Sequence, residues 1–193
     1  MANKKTVALT TEQMREIISL IRNGFVMENG QTVHGSDKIA TILVVQANLG
    51  LRIGDVLNLK LNDLIKDGNR YRLDIIEDKT GKLRKFTIPD EIYAYIKMYA
   101  IDNDRKSTAK IFDISVRAVQ KKLKYACDYL GLENISTHSF RKYFATQIYI
   151  KSNYNIALVK ELLQHSSTTI TQRYIGISSY EVEKALNEHI ILI

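Results

Sequence analysis

Residues 36–59, SDKIATILVVQANLGLRIGDVLNL, predict where the core of this 193-residue chain lies. Ser36 is a good N-cap, and the residues that follow it are apolar on nearly every side of a helix. A helix of this kind is buried, so we expect it at the centre of the core. Gly50 ends it, because glycine readily adopts the left-handed conformation that closes a helix, and residues 51–59 fit one or two further helical turns.

The segments on either side of this helix carry clear local signals. On the N-terminal side, Thr10 and Gln13 form a capping box before apolar residues at helical spacing. Residues 23–35 contain three glycines and two asparagines, which indicates a loop or a short hairpin. On the C-terminal side, residues 62–89 alternate polar and apolar positions around turn signals at 67–69 and 78–81. This pattern predicts a three-stranded antiparallel meander.

The remainder of the chain is predicted to be helical. Pro89 lies where the next helix begins, and Ser115 caps another helix with one apolar and one basic face. Further helices are expected over residues 139–149, 156–164 and 169–174, and from residue 179. The predicted fold class is therefore α+β, mainly α-helical with a small three-stranded antiparallel sheet.

Composition excludes several classes of protein. The chain is 45% hydrophobic and 25% charged, as globular domains are, which excludes a disordered tail and a collagen-like repeat. No segment approaches the ~18 consecutive apolar residues of a membrane span, and the N-terminal residues lack the apolar core of a secretory signal. Cys127 is the only cysteine, so no intrachain disulfide can form. We expect a cytoplasmic protein.

The charge distribution indicates a polyanionic partner. The chain has 28 basic and 21 acidic residues, a formal net charge of +7. Residues 104–151 contain ten basic and four acidic residues, so six of the seven excess positive charges lie there. A basic region of this kind favours nucleic acid as the partner, while a solvated lysine-rich surface is the plain alternative.

Several polar residues lie beside apolar runs, and each has a plain structural explanation when taken alone. Arg52 could be a core-edge residue paired with Asp55. His138 and Arg141 share one face at a helix N-terminus, which is a place that attracts phosphate. Tyr174 is one of eleven tyrosines, so it means little without its neighbours.

Taken together, these segments resemble the catalytic domain of the tyrosine recombinases, the phage-integrase family. The matching segments are GLRIGD at 50–55, HSFR at 138–141, LLQHSS at 162–167 and TQRYIG at 171–176. Their order and spacing agree with the family over residues 9–187. Phe140 and Gln164 stand where the family usually has leucine and glycine, and neither position is catalytic in the family.

The resemblance implies a site that cleaves a phosphodiester. Two arginines would clamp the non-bridging oxygens with a histidine as third donor, a second histidine would be the base, and a turn lysine would protonate the departing 5′ oxygen. A tyrosine would form a 3′-phosphotyrosyl bond. The implied catalytic residues are Arg52, Lys79, His138, Arg141, His165 and Tyr174.

Two further parts of the site follow from the same resemblance. Lys79 is favoured as the general acid because Lys-Thr is typical of the family at this turn, with Lys82 and Lys85 as alternatives. Asp55 is expected to orient Arg52 or a histidine. No metal-ligand motif is present, so no metal or other cofactor is expected.

Double-stranded DNA is the implied partner. A homotetramer on DNA is expected, with a monomer in isolation as the alternative. The protein is expected to be encoded by a bacterium, a phage or another mobile element. The residues expected to contact the DNA backbone are Arg117, Lys121, Lys124 and Lys142. A topoisomerase IB-like nicking–closing enzyme and a catalytically silent DNA-binding regulator are the alternative functions.

The expected organisation has three parts. Residues 1–8 resemble a linker, residues 9–178 form the catalytic domain, and residues 179–193 form a C-terminal helix and tail. That helix either docks on a neighbouring protomer or packs on its own core. The N-terminal core-binding domain usual in the family has no counterpart here, which indicates either an excised catalytic domain or a naturally short member.

Overall fold

A computed structural model of the chain describes residues 6–175. The chain divides into two compact units, with the boundary between Phe144 and Ala145. No helix within 6–175 is both long enough and apolar enough to cross a membrane. The elements in this range are α1 (Thr11–Asn23), β1 (Gly24–Val26), β2 (Thr32–His34), α2 (Asp37–Leu49), α3 (Ile53–Asn58), a 3₁₀ turn (Leu61–Asp63), β3 (Leu64–Asp67), β4 (Arg70–Ile76), β5 (Leu83–Ile88), α4 (Asp90–Asp102), α5 (Val116–Tyr129), α6 (Thr137–Lys151), α7 (Ile156–Leu163) and α8 (Thr168–Ile175).

The core of the first unit is built around α2, as its sequence predicts. Nine of the thirteen residues of this helix are buried, and α1 packs against it. The Ser36 hydroxyl accepts a hydrogen bond from the N–H of Ile39, and Gly50 closes the helix at φ 59°. The capping box of Thr10 and Gln13 begins α1. Local capping chemistry therefore determines the ends of both helices.

The predicted meander is present as the antiparallel sheet β3-β4-β5. Leu73 pairs with Leu64 on one side and Phe86 on the other, so an apolar row crosses the sheet. Beyond the last strand pair, the N–H of Glu77 donates to the carbonyl of Lys82 at 2.9 Å and closes a turn. This turn holds Lys79 exposed at its tip.

Two local features refine what the sequence predicts. Of the two alternatives for the glycine-rich segment after α1, a loop or a short hairpin, the structure has the hairpin, formed by the antiparallel strands β1 and β2. Helix α6 begins at Thr137, two residues earlier than expected, so that His138 lies within its first turn. Ser115 caps α5 through the N–H of Ala118, as predicted.

The second unit contains α7 and α8, which pack against each other. Asn155 caps α7 through the N–H of Leu158, and Gln164 ends the helix in the left-handed conformation at φ 54°. Val159, Leu163 and Ile175 are buried. The expected C-terminal helix from residue 179 lies outside the described residues, so the division into 1–8, 9–178 and 179–193 stays a prediction.

Candidate active site

The first unit gathers three arginines around one buried carboxylate, that of Glu77. Arg52 Nη1 donates to Oε2 at 2.5 Å, Arg84 Nη1 donates to Oε1 at 3.1 Å, and Arg141 Nη1 lies 3.9 Å from Oε1. Glu77 is fully buried, and Arg84 and Arg141 are each 1% exposed. Buried charges are stable only when paired, and one carboxylate cannot balance three guanidinium groups. The cluster is therefore positive overall and suited to an anion.

The C-terminal end of α2 holds the two buried arginines. Arg141 Nη1 donates to the carbonyl of Gly50 at 2.6 Å, and Arg84 Nη2 donates to the carbonyl of Leu49 at 3.1 Å. The last carbonyls of a helix lack partners within the helix and carry partial negative charge. Burial and the nearby Arg141 charge lower the pKa of Arg84 to about 10, so it stays protonated at neutral pH.

Arg52 is the most accessible of the three guanidinium groups. It is the N-cap residue of α3, and its side chain is 22% exposed. Its carboxylate partner is Glu77 rather than Asp55, which lies three residues on. The Asp55 carboxylate, expected to orient Arg52 or a histidine, instead accepts a hydrogen bond from the backbone N–H of Asp78 at 2.9 Å. Asp55 therefore ties α3 to the turn that carries Lys79.

His138 lies within the positive field of the cluster. Partial burial of the imidazole and the charges of Arg141, Lys79 and Arg52 lower the pKa of His138, which keeps the ring neutral at neutral pH. Four of the residues predicted to be catalytic thus lie close enough to interact in the first unit. Lys85, an alternative to Lys79, pairs with Asp74 at 3.2 Å on the sheet.

The second unit brings together the other two residues predicted to be catalytic. The rings of His165 and Tyr174 lie edge to face, with centroids 5.0 Å apart and an interplanar angle of 69°. Thr171 Oγ1 lies 3.1 Å from His165 Nδ1 and holds the ring at a fixed orientation. The left-handed turn at Gln164 lets α8 fold back, so that these two residues meet although they are nine apart in sequence.

Comparison with known proteins identifies the family. The model of the phage integrase family matches residues 8–180. The chain belongs to this family. It is 37% identical over 141 residues to the probable integrase/recombinase YoeC of Bacillus subtilis, a match that covers 70% of this chain and 76% of that protein. It is 24% identical over 197 residues to the tyrosine recombinase XerC of Caldanaerobacter subterraneus, covering 95% of this chain and 51% of that protein.

Solved structures confirm the predicted fold class, an integrase-family catalytic domain. The recombinase XerH in a post-cleavage complex with its difH substrate aligns with 96% of this chain and 54% of its own, at a TM-score of 0.70 and 21% identity. The catalytic domain of bacteriophage HP1 integrase aligns over 96% of both chains, at a TM-score of 0.63 and 19% identity. Several curated members are longer, and this chain spans 61% of the XerA recombinase of Thermococcus kodakarensis.

The residues predicted to contact DNA fall into two groups. Arg117 and Lys121 are exposed on α5, and Lys124 is exposed but pairs with Asp128 at 2.9 Å. Lys142 is only 8% exposed, and its ammonium group donates to the backbone carbonyl of Thr6. The prediction that Lys142 contacts the DNA backbone is therefore wrong, because its ammonium group faces inward.

Two members of the cluster, Glu77 and Arg84, were not predicted from the sequence. Both continue the inward-facing series of their strands, since alternate residues of a strand share one face. On β4 that face carries buried Leu73 and leads to Glu77, and on β5 Arg84 precedes buried Ile88 by four residues. Opposite charges at inward-facing positions, one on β5 and one directly after β4, were the available signal. Within residues 6–175, no group of three or more His, Cys, Asp or Glu side chains could hold a metal ion.

Proposed function

We propose that this chain is the catalytic part of a site-specific DNA recombinase that cleaves and rejoins strands through a phosphotyrosyl bond at Tyr174. The observation that carries the proposal is the net positive arginine cluster, with neutral His138 and the exposed Lys79 turn beside it. The membership of the integrase family and the pairing of His165 with Tyr174 support it further.

In the proposed reaction, the Tyr174 hydroxyl attacks the scissile phosphorus and His138 accepts its proton. The transition state carries roughly two negative charges in place of one. Arg52 and Arg141 donate to the non-bridging oxygens, and preorganised donors of this kind are commonly each worth ~10²–10³ in rate. Lys79 protonates the departing 5′ oxygen. Rejoining is the reverse: a 5′ hydroxyl gives its proton to Lys79 and attacks the phosphorus, the bond to the Tyr174 oxygen breaks, and the phenolate takes a proton back from His138. The phosphotyrosyl ester retains the phosphodiester energy, so no ATP is consumed.

The proposed partner is double-stranded DNA, to which the protein is proposed to bind as a homotetramer. Arg117 and Lys121 are proposed to contact its backbone, with Lys124 sharing its charge with Asp128. The proposed location is the cytoplasm of a bacterium, with the gene carried by the cell itself, by a phage or by another mobile element. Lys79 is the proposed general acid, because its charge acts on His138, whereas Lys85 is engaged by Asp74. Lys82 stays the alternative.

A trapping experiment tests the nucleophile. A pool of nicked duplexes with a randomised centre loses a short 5′-hydroxyl fragment after cleavage, so covalent adducts accumulate and can be separated on a denaturing gel. We expect an adduct with the wild-type protein and none with Tyr174→Phe, because phenylalanine has no oxygen to form the ester. Tyr154→Phe is the matched control, since Tyr154 is exposed in the same unit. It should give the wild-type band.

Other outcomes, in this experiment and in two companion assays of DNA binding and plasmid relaxation, contradict the proposal in different ways. An equal band with Tyr174→Phe would mean another nucleophile. DNA binding in a mobility shift without any adduct would favour the silent regulator. Relaxation of a supercoiled plasmid of arbitrary sequence would favour the topoisomerase-like alternative, because such an enzyme needs no specific site.

The rate of adduct formation should depend on pH through His138. Only the neutral imidazole can accept the Tyr174 proton, so activity is lost as pH falls through the pKa of His138. Because burial and neighbouring cations lower that pKa from its usual 6.5, the acidic limb should have its midpoint below 6.5. Single-turnover rates across this range measure it, and His138→Gln should remove the limb. A midpoint above 6.5 would contradict the role assigned to the cations.

A further inference from the structure

We infer that Glu77 is a positioning residue for strand cleavage, and that its carboxylate fixes the Arg52 guanidinium and joins it to the turn that carries Lys79. The inference rests on the proposed function. Because the side chain of Glu77 is fully buried, it cannot contact DNA and must act through the residues that it holds. Neither the family match nor the sequence pattern assigns it a role.

The two carboxylate oxygens of Glu77 have different partners. Oε2 accepts hydrogen bonds from Arg52 Nη1 at 2.5 Å and from the Thr80 hydroxyl at 2.9 Å. Oε1 accepts from Arg84 at 3.1 Å and lies 3.9 Å from Arg141. One oxygen therefore engages the accessible arginine and the turn, and the other is anchored to the buried arginines. Charge-assisted bonds of this kind are the strong ones.

The backbone of Glu77 also forms the base of the turn. Its N–H donates to the carbonyl of Lys82, and its carbonyl accepts from the N–H of Gly81 at 2.8 Å. Thr80, which the Glu77 side chain holds, is the residue directly after Lys79. A shift of this carboxylate would therefore move the proposed phosphate clamp and the proposed general acid together. Misplacement by about 1 Å is enough to slow catalysis strongly.

The charge of Glu77 matters as well as its shape. Hydrogen bonds from Arg52 and Thr80 outweigh burial and lower the pKa of Glu77, so it is ionised at neutral pH. Glutamine in its place keeps the volume, but only one of its two terminal atoms can accept a hydrogen bond. Its NH₂ group would face a guanidinium group, so either Arg52 or Arg84 would lose its hydrogen bond to this side chain.

The test compares Glu77→Gln and Glu77→Asp with the control Asp67→Asn. Asp67 also bridges two arginines of the same sheet, Arg70 and Arg72, but its side chain is 36% exposed. We expect Glu77→Gln to lower the single-turnover rate of adduct formation by about 10–100-fold while DNA affinity is retained. Glu77→Asp should lower this rate less, because it keeps the carboxylate. Asp67→Asn should stay within about twofold of wild type.

A second readout keeps this test independent of the proposed function. Side-chain ¹⁵N NMR follows the Nη signals of Arg52, assigned with Arg52→Lys, in the protein without DNA. In the wild type, Glu77 holds the guanidinium group, so the Nη signals should be separate. In Glu77→Gln they should merge, because the group rotates freely. Failure of the wild type to form an adduct would contradict the proposed function alone. Unchanged Arg52 signals in Glu77→Gln, or a rate loss explained entirely by the unfolded fraction, would overturn the positioning role.

Discussion

Arg52→Lys is expected to lower the rate constant of adduct formation by about 10²–10³-fold with little change in the free energy of unfolding. Lysine keeps the positive charge but cannot donate two parallel N–H bonds to a phosphate. The fold should tolerate the change, because the Arg52 side chain is 22% exposed and Glu77 would keep its bonds to Arg84 and Thr80. The loss should therefore appear in catalysis and not in stability.

Single-turnover trapping and urea denaturation of the same samples separate these two effects. Arg70→Lys is the matched control, because Arg70 is an exposed arginine paired with a carboxylate of the same sheet. Arg141→Lys provides the contrast: it should lose as much rate and also about 1–3 kcal/mol of stability, since the Gly50 carbonyl would lose a buried donor. Wild-type rates in Arg52→Lys would remove Arg52 from the phosphate clamp.

The parts of the fold that the sequence predicted depend on local chemistry. The Thr10 capping box, the Ser36 cap and the Gly50 stop each need only residues within a few positions, and all are present in the structure. The meander was predictable for the same reason, because turn signals and alternation are read from adjacent residues. Family resemblance supplied the roles of Arg52 and Arg141, which local pattern alone left ambiguous.

The parts that the sequence did not predict depend on long-range placement. Glu77 meets Arg141 across 64 residues of chain, and no local rule relates the two positions. Lys142 has the same charge as the exposed Lys121 and Lys124 of α5, yet it faces inward and bonds to the carbonyl of Thr6. A charge pattern counts residues without their orientation, so it locates a basic region but does not show which of its members face solvent.

Gly50→Ala is expected to destabilise the first unit by about 2–5 kcal/mol. Gly50 lies at φ 59°, where a non-glycine residue costs roughly 1–2 kcal/mol. An added Cβ would also lie 2.2 Å from Cδ1 of the half-buried Phe144 ring, so the ring must move away from Gly50, and overpacking typically costs ~1–3 kcal/mol. The Gly50 carbonyl holds Arg141, so adduct formation should fall together with stability.

Gly68→Ala separates the two causes of this loss. Gly68 lies in the turn between β3 and β4 at φ 64°, and a Cβ there would meet no atom within 4 Å. It should lose only the backbone contribution, roughly 1–2 kcal/mol, in urea denaturation. Equal losses in the two variants would mean that the Phe144 ring yields freely. A larger loss for Gly50→Ala, reduced when Phe144→Leu is added, would show that close packing of the ring on Gly50 holds the end of α2, and with it the carbonyl that positions Arg141.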